Sequence, residues 1–261
     1  MIFGKNMPTD IVYANFTGRT GNNISVLLRC LYEIEHGMKK QLKFLNKPYC
    51  FNLYSDTIFS LFKNVEILND SRYLISQEDI RNFGQKYSYT MSSADINYLG
   101  NKYFACKSVE NNIKQVYPSI NEKTSIHLRF GDYLFLSKYI NLTKNYYLNA
   151  ISTLLKETKQ HEFFLVVSDD IDKAKEMLND ISNIEFFDRN RFSAYNDIYD
   201  FYAMRLCRHN IVANSTFSRY AALFNIHQSY CIVQPNAYTN VELKYKKLMP
   251  ILKKVSYHYD Y

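Results

Sequence analysis

The sequence predicts an α/β protein of two facing halves, each built on a mainly parallel sheet, with a ligand cleft between them. Three observations predict it. From about Ser125 onwards short β-rich runs alternate with helical patterns, the first half opens on another strand, loop and helix, and 261 residues with 47% hydrophobic and 22% charged side chains supply two modest cores.

Taken in order, the first strand is IVYANF from Ile11, followed by the loop GRTGNN, Gly18 to Asn23. The helix after it carries Ile24, Leu27, Leu28, Leu31 and Ile34 at helical spacing. From Asn52 to Ser93 the pattern is mixed and orders no elements. In the second half SIHL from Ser125 reads as a strand, NYYLNAISTLLKETK from Asn145 as a helix, and EFFLVV from Glu162 as a strand ending at Ser168 and Asp169. DIDKAKEMLN is the next helix, followed by the strand IEFF from Ile184, a helix through DIYDFYAMRLC, the strand NIVA ending at Ala213, a helix from Thr216 and a closing strand YCIV from Tyr230. This repeated order is Rossmann-like. A boundary around Pro118 divides the chain into residues 1–119 and 120–261, with the C-terminal segment free to pack back on the first half. Within that segment KYKKLMPILKK, from Lys244, reads as a solvated surface helix, and its lysines also suit an anionic membrane surface.

A net charge of +7 and a pI near 8.9 favour an anionic partner, whether nucleic acid, membrane surface or phosphate-bearing substrate. Cys30, Cys50, Cys106, Cys207 and Cys231 are odd in number and lack metal spacing, so a disulfide framework and a zinc site are not expected. There is no apolar run after a basic start and no stretch near the roughly 20 apolar residues of a membrane span, so a cytoplasmic protein is expected. The 24 Tyr and 18 Phe beside Asn and Lys point to an A- and T-biased genome more than to selection.

Four segments are suited to chemistry. HLRFGDY, His127 to Tyr133, follows a strand, so its polar residues emerge at the carboxyl end where α/β proteins bind ligands. Arg129 offers a rigid fork for phosphate and Gly131 lets backbone approach a ligand, against the plainer reading of a salt-bridged Arg and a turn glycine. His127 alternates with Arg129 and alone reads as a core histidine. ANSTFS, Ala213 to Ser218, places small polar residues at a helix N terminus, where N–H groups and the dipole favour an anion. SDD, Ser168 to Asp170, ends another strand at the same edge: Asp169 is placed for a ribose hydroxyl or purine edge, whereas Asp170 reads as a first-turn residue of the next helix. Asp200 precedes NIVA and either buttresses the anion loop or reaches a nucleotide. GRTGNN is glycine-bracketed but is neither GxGxxG nor a P-loop.

Together these segments resemble glycosyltransferase family 11, the α-1,2-fucosyltransferases, from about Tyr13 to Pro235. GRTGNN is similar to the family's GxxGNQ, YLGNKYF (Tyr98 to Phe104) to its GYxQSxKYF, and HLRFGDY, followed by Tyr146, Tyr147 and SDD, to its HxRRGDY. The run from Asp200 to Asn225 is similar to its block ending in N-S-T/S-F-S. The resemblance implies a GT-B-like fold of two Rossmann-like domains, residues 1–119 on the acceptor side and 120–261 binding GDP-fucose. It implies inverting, metal-independent transfer of L-fucose to a glycan hydroxyl, O-2 of a terminal galactose. No cofactor or metal is expected. Arg129 would contact the diphosphate, His127 would support the nucleotide side, and Asn214, Ser215, Thr216 and Ser218 would line the phosphate loop, with Gly131, Ser168, Asp169 and Asp200 also on the donor. Arg19, Gly21 and Asn22 would approach from the first half, and Arg129, Asn22 and Asp132 are the candidate catalytic residues. An oligosaccharide or lipid-linked glycan would be the acceptor, with the protein peripheral on the inner face of the membrane.

The chain departs from the pattern where the second Arg of the signature is Phe130, where Asn23 replaces glutamine and where Arg219-Tyr220 replaces an aromatic pair. Arg219, just inside its helix, is a candidate for the lost charge. Transfer of another nucleotide-sugar is the alternative reading. A nucleic-acid-binding module is the reading from another class, with scattered basic residues and no RNP, zinc-finger or helix-turn-helix pattern behind it.

Overall fold

A computed structural model describes residues 11–14, 19–38, 41–44, 91–159, 163–192, 196–244 and 247–256. The mixed stretch from Asn52, the glycine Gly18 and Cys50 lie outside them. The chain divides into two compact units, Met1–Ala105 and Cys106–Tyr261.

In the first unit, strands β1 (Ile11–Ala14) and β2 (Gln41–Phe44) pair in parallel on either side of helix α1 (Thr20–Glu35), a β-α-β start. Ile24, Leu27, Leu28 and Leu31 are buried, so the helical spacing marks the packed face. The helix ends because Gly37 takes a positive φ of 68° and lets Met38 N–H reach back to the Glu33 carbonyl. Helix α2 (Ser93–Tyr103) starts at a capping box between Ser92 and Asp95 and packs on α1, where Lys102 meets Glu35 at 2.8 Å.

The second unit holds helix α3 (Lys107–Val116), strand β3 (Thr124–Leu128), helix α4 (Lys144–Thr158), strand β4 (Phe164–Ser168), helix α5 (Ile171–Leu178) and strand β5 (Ile184–Phe186). Helix α6 (Asn196–Leu206), strand β6 (His209–Ile211), helix α7 (Thr216–Leu223), strand β7 (Ser229–Pro235), the short helix α8 (Asn240–Leu243) and strand β8 (Pro250–Ser256) follow. The sheet order is β5-β4-β3-β6-β7-β8, parallel except for β8. The α/β class and the mainly parallel sheet agree with the sequence. β3 and β4 are buried along their whole length, as strands covered on both faces must be. Ile126 and Leu128 face a cluster with Tyr146, Tyr147, Leu154, Ala174 and Leu178 of α4 and α5. Ser125 and His127 point the other way, where Asn210 donates to Ser125 Oγ at 2.7 Å and the His127 ring meets Phe217 of α7.

Residues 250–254, expected within a surface helix, form with Val255 and Ser256 an antiparallel strand beyond β7, so YCIV does not close the sheet. Pro250 disfavours a helix interior but suits the first position of an edge strand, and Lys253 and Lys254 suit an edge exposed to water. The sheet reverses its order between β3 and β6, which leaves their carboxyl ends beside one another as a crevice.

Candidate active site

At the tip of β3 the chain turns through a 3-10 segment, Gly131–Leu134. The turn is braced by Asp169 from the tip of β4, whose Oδ1 accepts the Phe130 N–H at 2.9 Å. Its Oδ2 lies 2.6 Å from Arg129 Nη1, and Asp132 Oδ1 lies 2.5 Å from Arg129 Nη2. Gly131 is required by this packing: its φ is +27°, and a Cβ there would stand 2.5 Å from Asp169 Oδ2. The Arg129 guanidinium also lies over the Tyr133 ring, 5.4 Å from its centroid, while that ring stacks on Tyr139 at 4.0 Å.

The turn from β6 to α7 sits alongside. Tyr133 Oη donates to the Asn214 carbonyl at 3.2 Å, so one side chain touches both Arg129 and this turn. Asn214 is 2% exposed and its amide donates to the carbonyls of Ile140 and Tyr238. Ser218 is fully buried and donates to the Ser215 carbonyl at 3.3 Å. Ser215, the N-cap of α7, makes no side-chain capping bond, and Thr216 is half-buried. The anion-favouring groups at this turn are therefore the first backbone N–H groups of α7 more than the side chains of Asn214 and Ser218.

A second set of polar groups flanks Arg129. His127 is 3% exposed and its Nδ1 has no partner; burial, then the charges of Arg129 and Arg189, push its pKa down to about 3, so the ring is neutral. Asp200 is 5% exposed, with Oδ2 at 2.7 Å from Arg189 Nη2 and Oδ1 without a partner. Burial pushes its pKa up to about 8 against the pull of Arg189, and the charges of Asp197 and Asp169 add to the rise. Arg189 also donates to the Ser168 carbonyl. Ser168 Oγ donates to the Asp170 carbonyl at 3.0 Å, and Asp170 caps α5 by accepting from Lys173 N–H, the first-turn role read for it from the sequence.

The structure thus brings His127, Arg129, Gly131, Asp132, Ser168, Asp169, Asp200 and the Asn214–Ser218 turn to one edge of one sheet. Arg19, Gly21 and Asn22 lie in the other unit, at the N terminus of α1: Arg19 is the N-cap, its carbonyl accepting from Asn22 N–H at 3.0 Å, Gly21 is buried and Asn22 exposed. Two residues at the edge carry no assignment from sequence. Tyr133 lies inside the segment singled out, and Arg189 follows β5, where its place at a third strand tip was the available signal. Phe130 is 8% exposed within the apolar cluster, and Arg219 lies beside Lys253 of β8, whose pKa it helps lower after burial. Among the described residues no three His, Cys, Asp or Glu side chains are grouped to hold a metal ion, and no helix is long and apolar enough to cross a membrane.

Comparisons with known proteins bear on this edge. The family model described as "Glycosyl transferase family 11" matches residues 84–253. Among curated proteins, the chain is 30% identical over 116 residues to the O-antigen biosynthesis glycosyltransferase WbnK of Escherichia coli, covering 43% of this chain and 37% of that protein. It is 31% identical over 106 residues to an alpha-1,2-colitosyltransferase of Escherichia coli, covering 38% and 34%. The chain spans about a third of the length of these relatives. Among solved structures, NodZ alpha-1,6-fucosyltransferase co-crystallized with GDP is similar with a TM-score of 0.58 at 10% identity over 94% of this chain and 99% of that one. Fucosyltransferase NodZ from Bradyrhizobium, as its Se-Met form, gives 0.50 at 10% identity over 96% and 99%. At such identity the likeness is one of fold.

Proposed function

Because the chain belongs to glycosyl transferase family 11, we propose that it transfers L-fucose from GDP-fucose to a glycan hydroxyl, O-2 of a terminal galactose, with inversion and without a metal. The observation that carries the reading is the convergence of Arg129 and the first turn of α7, joined through Tyr133, where the sheet reverses its order. The names of the relatives support glycosyl transfer, one of them with an α-1,2 linkage.

In the proposed reaction the acceptor oxygen bonds to the anomeric carbon as the bond to the β-phosphate oxygen breaks, and that electron pair leaves with GDP. Negative charge grows on the diphosphate, where Arg129 and the N–H groups of α7 stabilise it. Two carboxylates hold Arg129 before the donor arrives; Asp132 has the more exposed side chain, 34% against 22% for Asp169, and is the one that the diphosphate displaces. Once off the guanidinium, Asp132 takes the hydroxyl proton. His127, Gly131, Ser168, Asp169 and Asp200 act on the nucleotide side, and Arg19, Gly21 and Asn22 on the acceptor side. The reading places the protein in the cytoplasm, meeting a free or lipid-linked glycan at the inner face of the membrane.

A second reading keeps the reaction and changes the donor sugar, favoured by Phe130 in place of a cation and by the colitosyl relative. Nucleic-acid binding is disfavoured because Arg129 and Arg189 are engaged by carboxylates instead of forming an open basic patch. Incubating the purified chain with a panel of nucleotide sugars and a galactose-ended acceptor, and measuring released nucleotide, tests the reading. GDP-fucose should be turned over, and Arg129→Ala should lower turnover about 10²- to 10³-fold with the fold intact. Retention of most turnover by that variant would defeat the assignment of Arg129.

A further inference from the structure

We propose that Arg189 is a positioning residue for the donor, holding the Asp200 carboxylate at the tip of β4. The inference rests on the donor reading above. Position 130, arginine in the resembled signature, is a phenylalanine buried among apolar side chains, and Arg219 lies by Lys253 at the β8 edge. Arg189 instead reaches the edge from the turn after β5. Its Nη2 donates to the Ser168 carbonyl and lies 2.7 Å from Asp200 Oδ2, so one guanidinium ties α6 to β4.

What Arg189 holds is a group prepared for a ligand. Asp200 and His127 are both buried, and Asp200 Oδ1 and His127 Nδ1 lack partners; buried polar atoms left so are costly unless something bound completes them. Among the groups that bear on Asp200, Asp197 on its own helix and Asp169 at the β4 tip are like-charged, whereas Arg189 is the cation. His127, facing from β3, is neutral. Removing Arg189 would leave Asp200 buried beside two anions, so its carboxyl would stay protonated to still higher pH and lose its aim.

The test measures GDP binding by calorimetry and GDP-fucose turnover on the full chain from neutral to alkaline pH, for wild type, Arg189→Gln, Arg189→Lys, Asp200→Asn and the Gln/Asn double variant. Arg189→Gln should weaken GDP binding about tenfold or more, raise KM more than it lowers kcat, and move the acid limb of binding, the rise that follows ionisation of Asp200, to higher pH. Arg189→Lys should keep the wild-type limb while recovering part of the affinity, which keeps the test decisive if the glutamine variant misfolds. In the Asp200→Asn background the glutamine change should add little. Unchanged GDP affinity and pH limb in Arg189→Gln, equal losses in both backgrounds, or a shifted limb in Arg189→Lys would overturn the role of Arg189 alone. Wild-type chain that binds no GDP would overturn the donor reading and this inference with it.

Discussion

Asp169 holds Arg129 by two routes at once, through its own carboxylate at 2.6 Å from Nη1 and through the Phe130 N–H that it accepts at 2.9 Å. The pair joins neighbouring strand tips, so the direction of the guanidinium is set by the sheet and not by a loop. Asp169→Asn keeps an acceptor for Phe130 and removes the charge from Arg129. Its kcat/KM for GDP-fucose should fall about tenfold, the size of one charge-assisted hydrogen bond. Asp169→Ala should lose more and also melt earlier, because the N–H is left unpartnered.

Gly131→Ala is expected to damage stability and activity together. The left-handed φ disfavours a side chain, and the added methyl meets Asp169 Oδ2, which cannot retreat without releasing Arg129. A cost of about 1–3 kcal/mol should appear as a drop of roughly 2–4 °C per kcal/mol in a thermal melt. An unchanged Tm would show that the turn relaxes more readily than its packing implies.

Tyr133→Phe removes only the hydroxyl that donates to the Asn214 carbonyl, leaving the ring on Tyr139 and under Arg129. Donor KM should rise about two- to tenfold, as for a single neutral hydrogen bond, with Tm little changed. Tyr133→Ala should be worse in both respects. Equal behaviour of the two variants would place the importance of Tyr133 in its ring alone.

His127 links stability to acidity. Its folded pKa, about 3, lies below the unfolded value of 6.5, so the neutral ring contributes stability above the unfolded value. That contribution is lost as pH falls from 6.5 towards 3, with a slope of up to about 1.4 kcal/mol per pH unit. Chemical denaturation across this range should show a steeper acid decline in wild type than in His127→Gln. Parallel curves would show that another group governs the acid limb.

The second unit was legible because its strands stand out in sequence: FLVV is a continuous apolar run, SIHL is a short β-rich run, and each leads directly into polar residues, Arg129 after the one and Ser168 to Asp170 after the other. Helix ends were readable for the same local reason, as the capping by Asp170 shows. What sequence hid depends on partners distant along the chain. β8 forms by pairing with β7, and nothing local in a lysine-rich stretch announces that partner. Arg189 gains meaning from the Ser168 carbonyl and Asp200, on two other elements. Asn214 looked like a ligand-facing amide, yet the carbonyls of Ile140 and Tyr238 turn it inward.

The burial of Phe130 makes position 130 hard to recharge. A direct Phe130→Arg exchange would drive a cation into the apolar cluster that holds Ile126, Leu128, Tyr147 and Val166, so the exchange on its own is a step toward unfolding. An arginine there would require that the oily floor beneath it be opened first. Charge can therefore be added at this strand tip only after its underside has been rebuilt, which makes the order of substitutions matter.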